Sequence, residues 1–371
     1  MSHASGSQHR ANEFATAWQP GIELEERTRL AALGAQRGSA KSLSADLAPR
    51  FEPFEWVALG YLAISSVLIV IFAGNLAHPL RLLSVQVLVA LLIVALCRAE
   101  ANVWSPIATS PIAGGERTAR IVRPTLAQRF WHFWRHWYPH LFFLFCFEEL
   151  GALVHLVSPR WQDAKLIAFD HWLTGVHPAI WLEQFATPGR NEFMQFAYST
   201  YFVYLLVLGG ILYYREDWRG YWSVMTYSAV GYAIGYVIAI FFPVESPWFA
   251  MASSWRGELH GGPFTAAVNF IEHYGRVRGA AFPSQHVAGS FAALWGAWRH
   301  RRWLFWVMLP LMLCMCVSTV WGRYHYVADI FGGMVTGTLG FVIGEWLMKR
   351  RQEVYGRQSK VESAEFSLVR Q

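Results

Sequence analysis

Two short segments of this 371-residue chain hold residue types that can move a phosphoryl group without a metal. One is Phe282-Pro283-Ser284-Gln285-His286, the other Trp321-Gly322-Arg323-Tyr324-His325-Tyr326-Val327-Ala328-Asp329. His325 and Asp329 are four residues apart, so on a helix that starts near His325 they share a face. The carboxylate then accepts from one imidazole nitrogen and leaves the other free to attack phosphorus. Asp329 is also expected to raise the His325 pKa by favouring the charged ring. A histidine nucleophile needs a second group to protonate the departing oxygen, and His286 has that chemistry. Helix starts at Ser284 and near Val327 present unpaired N–H groups, which with Arg323 would cradle a phosphate. His286, His325 and Asp329 are also a conceivable three-ligand metal set. No Glu-x-x-His or His-x3-His companion accompanies them, so neither a metal nor another cofactor is expected.

Eight apolar stretches are long enough to carry these segments through a bilayer: 56–74, 82–97, 137–157, 194–213, 221–242, 282–298, 303–320 and 327–348. The fold class is therefore all-α, a polytopic membrane helix bundle. Tyr and Trp at the ends of the fourth and fifth stretches suit the membrane interface, and no internal repeat is visible. Eight crossings put both termini on one side. About 23 of the 31 Lys and Arg fall on that side and about 8 opposite, which makes it the cytoplasmic side. Loops 158–193 and 243–281 then lie outside, with both histidine segments at the same outer face. The predicted organisation is a disordered cytoplasmic tail over 1–50, two extra helices with a basic loop over 51–133, a catalytic membrane domain over 134–349, and a second cytoplasmic tail over 350–371.

Composition narrows the class further. The chain is 54% hydrophobic, 16% aromatic and 15% charged, with 19 Trp and a mean hydropathy of +0.25. Its net charge of +6 does not point to nucleic acid, because the basic residues sit between apolar runs and not along one helix. Cys97, Cys146, Cys314 and Cys316 fall in or at the ends of apolar runs and imply no disulfide framework. The first 50 residues contain no cleavable apolar signal. A predominance of Arg over Lys and the lack of an Asn-x-Ser/Thr sequon favour a bacterial inner membrane.

Each candidate has a plainer reading beside it. A lone interfacial histidine is more often solvated than catalytic; the case rests on two motifs meeting at one face. Ser284 suits a helix cap, and Arg323 can mark the interface by snorkelling. Glu148 and Glu149, inside the third stretch, need a bundle interior or an aqueous cavity; one of them is a candidate contact for an acceptor hydroxyl. Asp170 can cap a short interfacial helix or touch a headgroup, and Arg276 and Arg278 can touch an anionic headgroup or the membrane surface. A transporter lined by the broken helices at Pro243 and Pro283 is the competing class, opposed by ionisable residues that cluster at one face.

These segments resemble the type 2 phosphatidic acid phosphatase superfamily, whose motifs read Pro-Ser-Gly-His and Ser-Arg-x5-His-x3-Asp. Pro283-Ser284-Gln285-His286, Ser318 and His325-x3-Asp329 match; Thr319 stands where the superfamily has Arg. No outer Lys-x6-Arg-Pro motif is present, since Arg123-Pro124 has Glu116 in the Lys position and falls on the cytoplasmic side. The pattern is closer to the inositol phosphorylceramide synthase-like branch, with Phe282 to His286, His325-Tyr326-x-x-Asp329, Gly332-Gly333, and a Pro243-Val244-Glu245-Ser246-Pro247-Trp248 turn in which Ser246 replaces a Pro. The resemblance covers 134–349 and implies a six-helix core. It also implies a phosphohistidine formed by His325, oriented by Asp329, with His286 as the acid. Its substrate would be a membrane phospholipid and its acceptor a lipid hydroxyl (a phosphotransferase) or water (a phosphatase).

Overall fold

The computed structural model describes residues 51–103, 107–111, 117–121 and 125–368, with side chains over 51–100 and 125–354. The expected tail over 1–50 and the Glu116 and Arg123-Pro124 positions lie outside them. The long helices are α1 (Pro53–Ile71), α2 (Pro79–Val103), α3 (Leu126–Leu153), α6 (Pro188–Ser199), α7 (Tyr201–Tyr214), α8 (Trp218–Phe241), α11 (Gln285–His300), α12 (Arg302–Trp321) and α13 (Val327–Leu368). Shorter helices fill the connections between them: α4 (Asp163–Thr174), α5 (Pro178–Glu183), α9 (Pro247–Ala250) and α10 (Pro263–Gly275). The strands among the described residues are one antiparallel ribbon in the α2–α3 connection, Ile107–Pro111 with Arg117–Ile121. The chain divides into two compact units, one of them built from 51–93 and 136–371. Both histidine segments belong to that unit.

Six helical segments are long and apolar enough to cross a membrane: Pro53–Ile71, Pro79–Glu100, Pro188–Tyr214, Trp218–Phe241, Arg302–Trp321 and Val327–Val354. The protein is an integral membrane helix bundle. Two of the eight expected crossings fall short on their own. α3 mixes apolar residues with His140, Glu148 and Glu149, and α11 has 16 residues, roughly 24 Å of helix against about 30 Å of hydrocarbon.

Helix α8 is the centre of the unit: 72% of its crossing window is buried, against 17% for α2. Lipid offers no hydrophobic drive to bring helices together, so close backbone approach has to. The Gly332-Gly333 pair provides one such approach. A Cβ on Gly333 would lie 2.5 Å from the Ser284 carbonyl oxygen, so only glycine lets α13 meet the start of α11. That crossing brings the two histidine segments together, and the Ser284 N–H donates to the Asp329 carbonyl at 3.0 Å.

Ion pairs and hydrogen bonds group the helix ends into layers. Arg351 pairs with Glu52 at 2.6 Å, Arg301 with Asp217 at 3.0 Å, and Arg219 donates to Gln352 at 3.1 Å. The starts of α1, α8 and α12 and the far end of the α13 crossing thus share one layer. At the opposite ends the connecting helices gather over the histidine segments. Asn75 ties this layer to the end of α3 by donating to the Leu156 carbonyl at 2.9 Å.

Candidate active site

Two aspartates of α4, seven residues apart and so on one helical face, hold the start of α13. Asp170 accepts from the Val327 and Ala328 N–H groups at 2.8 and 2.9 Å. It caps α13, not the short interfacial helix on which it sits. Asp163 accepts from the Tyr326 hydroxyl at 2.8 Å and from the Glu245 and Ser246 N–H groups at 3.0 and 3.3 Å. Burial pushes both carboxyls above the ordinary range, against the hydrogen bonds that favour their charged forms. The turn Asp163 braces contains Ser246 at φ 110°, a left-handed backbone that proline cannot adopt. The serine that replaces a proline in the resemblance is therefore what this turn requires.

The turn is joined to the segment before His286. Val244 N–H donates to Gly279 O at 3.2 Å and Ala281 N–H to Val244 O at 3.1 Å, which fixes the Ala281 carbonyl. His325 Nδ1 lies 3.0 Å from that carbonyl oxygen and 3.2 Å from Asp329 Oδ2. A carbonyl only accepts, so Nδ1 carries the proton and the lone pair of a neutral His325 is on Nε2. Asp329 Oδ2 also accepts from the Tyr326 N–H at 2.8 Å. His325 Nε2 in turn lies 2.9 Å from His286 Nδ1.

Burial pushes the His325 imidazole down from 6.5 to about 4, outweighing the raising effects of the Ala281 carbonyl and Glu272. The expected rise caused by Asp329 is overturned, because removing the ring from water disfavours its charge more than its neighbours favour it. Burial thus favours the neutral imidazole of His325 at physiological pH, with its Nε2 lone pair directed at His286 Nδ1.

The histidine pair lines a cavity of about 160 Å³. Leu144, Phe202 and Ile271, each at least 36% exposed, line its apolar side, while Glu148, Glu245, Glu272 and Arg276 are its charged lining. A second, more polar chamber lies beyond it and shares Glu272, Arg276 and Tyr324 as a dividing wall.

The candidates separate in this geometry. Glu148 lines the cavity, but Glu149 is buried and turned toward Gln86 of α2. Arg276 lines the cavity, pairs with Glu272 at 2.7 Å and lies 4.7 Å over the Trp248 ring. Arg278 instead pairs with Glu245 at the surface. Arg323, expected in the phosphate cradle, is not in the cavity wall: it is buried, donates to Glu183 and to Gly257 O at 2.9 Å each, and stacks 4.4 Å over Trp255. Its φ of 65° turns the side chain out of the α12–α13 corner, the reason spacing alone misplaced it. Ser284 is the α11 N-cap, accepting from Val287 N–H, and does not line the cavity.

Two residues that sequence reasoning passed over reach His286, Tyr198 directly and Glu272 through Tyr198. Tyr198 Oη lies 2.8 Å from His286 Nε2 and 2.6 Å from Glu272 Oε1. A signal was present in the sequence: Asn191, Gln195 and Tyr198 are polar at helical spacing on one face of a span, and all three are buried. Glu272 sits on α10, an amphipathic helix whose N-terminal N–H groups at Gly262, Phe264 and Thr265 donate to Glu192 of α6 at 2.6, 2.6 and 3.1 Å.

No curated protein and no solved structure matches the chain. Residues 164–343, a segment that holds both histidines, Asp329, Tyr198 and Glu272, match the family model described as PAP2 superfamily. That segment is similar to the PAP2 superfamily, whose members are phosphatases and phosphotransferases, and the match supports a phosphoester-processing activity.

Proposed function

We propose that the enzyme transfers a phosphate-linked headgroup from a membrane phospholipid to a lipid hydroxyl, as inositol phosphorylceramide synthase-like enzymes do, through a phosphohistidine at His325. The observation that carries this reading is the facing pair of nitrogens, His325 Nε2 and His286 Nδ1, 2.9 Å apart beside a cavity with an apolar side. In the first step the Nε2–P bond forms and the P–O bond to the lipid breaks, with His286 Nδ1 delivering a proton to the departing oxygen. In the second, the acceptor hydroxyl gives its proton to Nδ1 as its oxygen bonds phosphorus and the N–P bond breaks. Asp329 and the Ala281 carbonyl hold the nucleophile's tautomer. Arg276 is the cation assigned to the phosphate and Glu148 the group assigned to an acceptor hydroxyl, a reading supported by both lining the cavity. Asp170 acts through α13, and Arg278, Arg323 and Ser284 shape the surrounding turns.

The low exposure of His325, 4%, supports transfer over hydrolysis, because a phosphohistidine shielded from water survives until an acceptor arrives. Hydrolysis is the second reading, favoured by the polar chamber behind Glu272 and Arg276, through which water can reach the site. Purified protein given phosphatidate and a panel of phospholipids, with and without ceramide or diacylglycerol, separates them. New headgroup-bearing lipid supports transferase, phosphate release alone supports phosphatase, and no turnover of any lipid refutes both.

In this reading 134–349 is the catalytic domain, and 51–133 holds two extra transmembrane helices and a basic cytoplasmic loop. The protein lies in a bacterial inner membrane with the site on the periplasmic or extracellular face, supported by the basic residues that crowd the opposite layer. A cysteine at position 257 should then react with an impermeant reagent in intact cells; reaction only after the membrane is opened would reverse the orientation.

A further inference from the structure

We infer that Tyr198 and Glu272 form a positioning dyad for His286, matching the role of Asp329 for His325, and that they hold a proton on His286 Nε2 so that Nδ1 faces the substrate as the working nitrogen. The inference rests on the proposed phosphohistidine chemistry and assigns the machinery of its acid.

The argument is a count of protons along one chain of contacts. Its ends are acceptors: the Ala281 carbonyl with Asp329 at one end and the Glu272 carboxylate at the other. Between them lie four links: Ala281 to His325 at 3.0 Å, His325 to His286 at 2.9 Å, His286 to Tyr198 at 2.8 Å and Tyr198 to Glu272 at 2.6 Å. Each link holds one proton. Neutral His325, His286 and Tyr198 supply three of them, so a fully bonded chain carries a fourth. With Tyr198 donating to an ionised Glu272, its oxygen must accept from His286 Nε2. His325 Nε2 must accept from His286 Nδ1. His286 is then the doubly protonated ring, with the Glu272 carboxylate as its countercharge one hydroxyl away.

Burial and the neighbouring His325 push the His286 imidazole down to about 3 while Glu272 opposes them, so the fourth proton depends on that carboxylate. The titratable or charged groups that face it are His325 from the α12–α13 turn, Tyr198 from α6, Tyr201 from α7 with its ring centroid 4.6 Å away, and Glu272 from α10 through Tyr198. Asp329 lies behind His325, and Arg276 neutralises the outer oxygen of Glu272 at 2.7 Å. When Nδ1 gives its proton to the leaving oxygen, Nε2–H, Tyr198 and Glu272 stay bonded as they were. The emptied Nδ1 lone pair faces the phosphohistidine, ready to take the acceptor's proton. Without the dyad a neutral His286 can place its single proton on either nitrogen.

First-turnover kinetics of the full-length enzyme in detergent test this. Two probes are used: 4-nitrophenyl phosphate, whose leaving group departs as a phenolate, and a short-chain phosphatidate, whose leaving alkoxide needs a proton. Tyr198→Phe and Glu272→Gln should each cost about 10²-fold in the first turnover of phosphatidate and no more than about threefold in the nitrophenolate burst. The basic limb of kcat/KM for phosphatidate should move down by about one pH unit in Glu272→Gln. A retained burst also reports that the variants fold. Equal losses on both probes in both variants, or wild-type rates on phosphatidate, would overturn the dyad. The reading beneath it fails separately: it falls if wild type turns over neither probe, or if His325→Ala still gives a burst.

Discussion

The acid limb of activity is set by how reluctantly the buried histidine pair takes a further proton. His325 is 4% exposed and its imidazole is pushed from 6.5 to about 4 by burial. At about 1.4 kcal/mol per pH unit, that displacement is on the order of 3 kcal/mol of disfavoured charge. The apparent value belongs to the pair, since His286 shares a proton with His325. Titrating kcat/KM of phosphatidate turnover from pH 3.5 to 9, with excess chelator and constant substrate-to-detergent ratio, should place the acid limb near 4, with no loss at 6.5. The sign for stability follows. The unfolded histidine gains its proton as pH falls through 6.5 while the folded one does not until about 4. Across that window His325 removes stability, and above 6.5 it has no effect. Asp329→Asn should leave the limb below 6.5 because burial dominates, yet lower kcat by roughly 10²- to 10⁴-fold, since an amide can present its N–H to the ring and spoil the tautomer. An acid limb at or above 6.5 in the wild type would refute the burial argument.

Other variants separate positioning from contact. Asp170→Ala removes the acceptor for two N–H groups at the start of α13 and should cost about 1–2 kcal/mol in detergent unfolding, with activity falling alongside; unchanged stability would mean water caps the helix instead. Arg276→Ala should raise KM without unfolding the protein. Arg323→Ala strands the buried Glu183 and should cost about 3–5 kcal/mol of stability; the reverse pattern would return Arg323 to the phosphate.

Local chemistry was legible in the chain itself. The apolar runs, the His325–Asp329 spacing and the Ser284 cap each depend on residues within about one helical turn or on composition, and the structure places the spacing, the cap and six of the eight apolar runs where the one-dimensional pattern put them. Glycine at 332 and 333 could likewise be read as a close crossing. What only the tertiary structure decided is which distant groups meet. Tyr198 and Glu272 reach His286 across 88 and 14 residues of chain, and Asp163 and Asp170 brace α13 from more than 150 residues away. A turn with a left-handed residue sent Arg323 away from a phosphate that its position in the sequence suggested. Burial reversed the expected direction of the His325 shift, because desolvation depends on every helix packed around the ring and has no signature in any single segment.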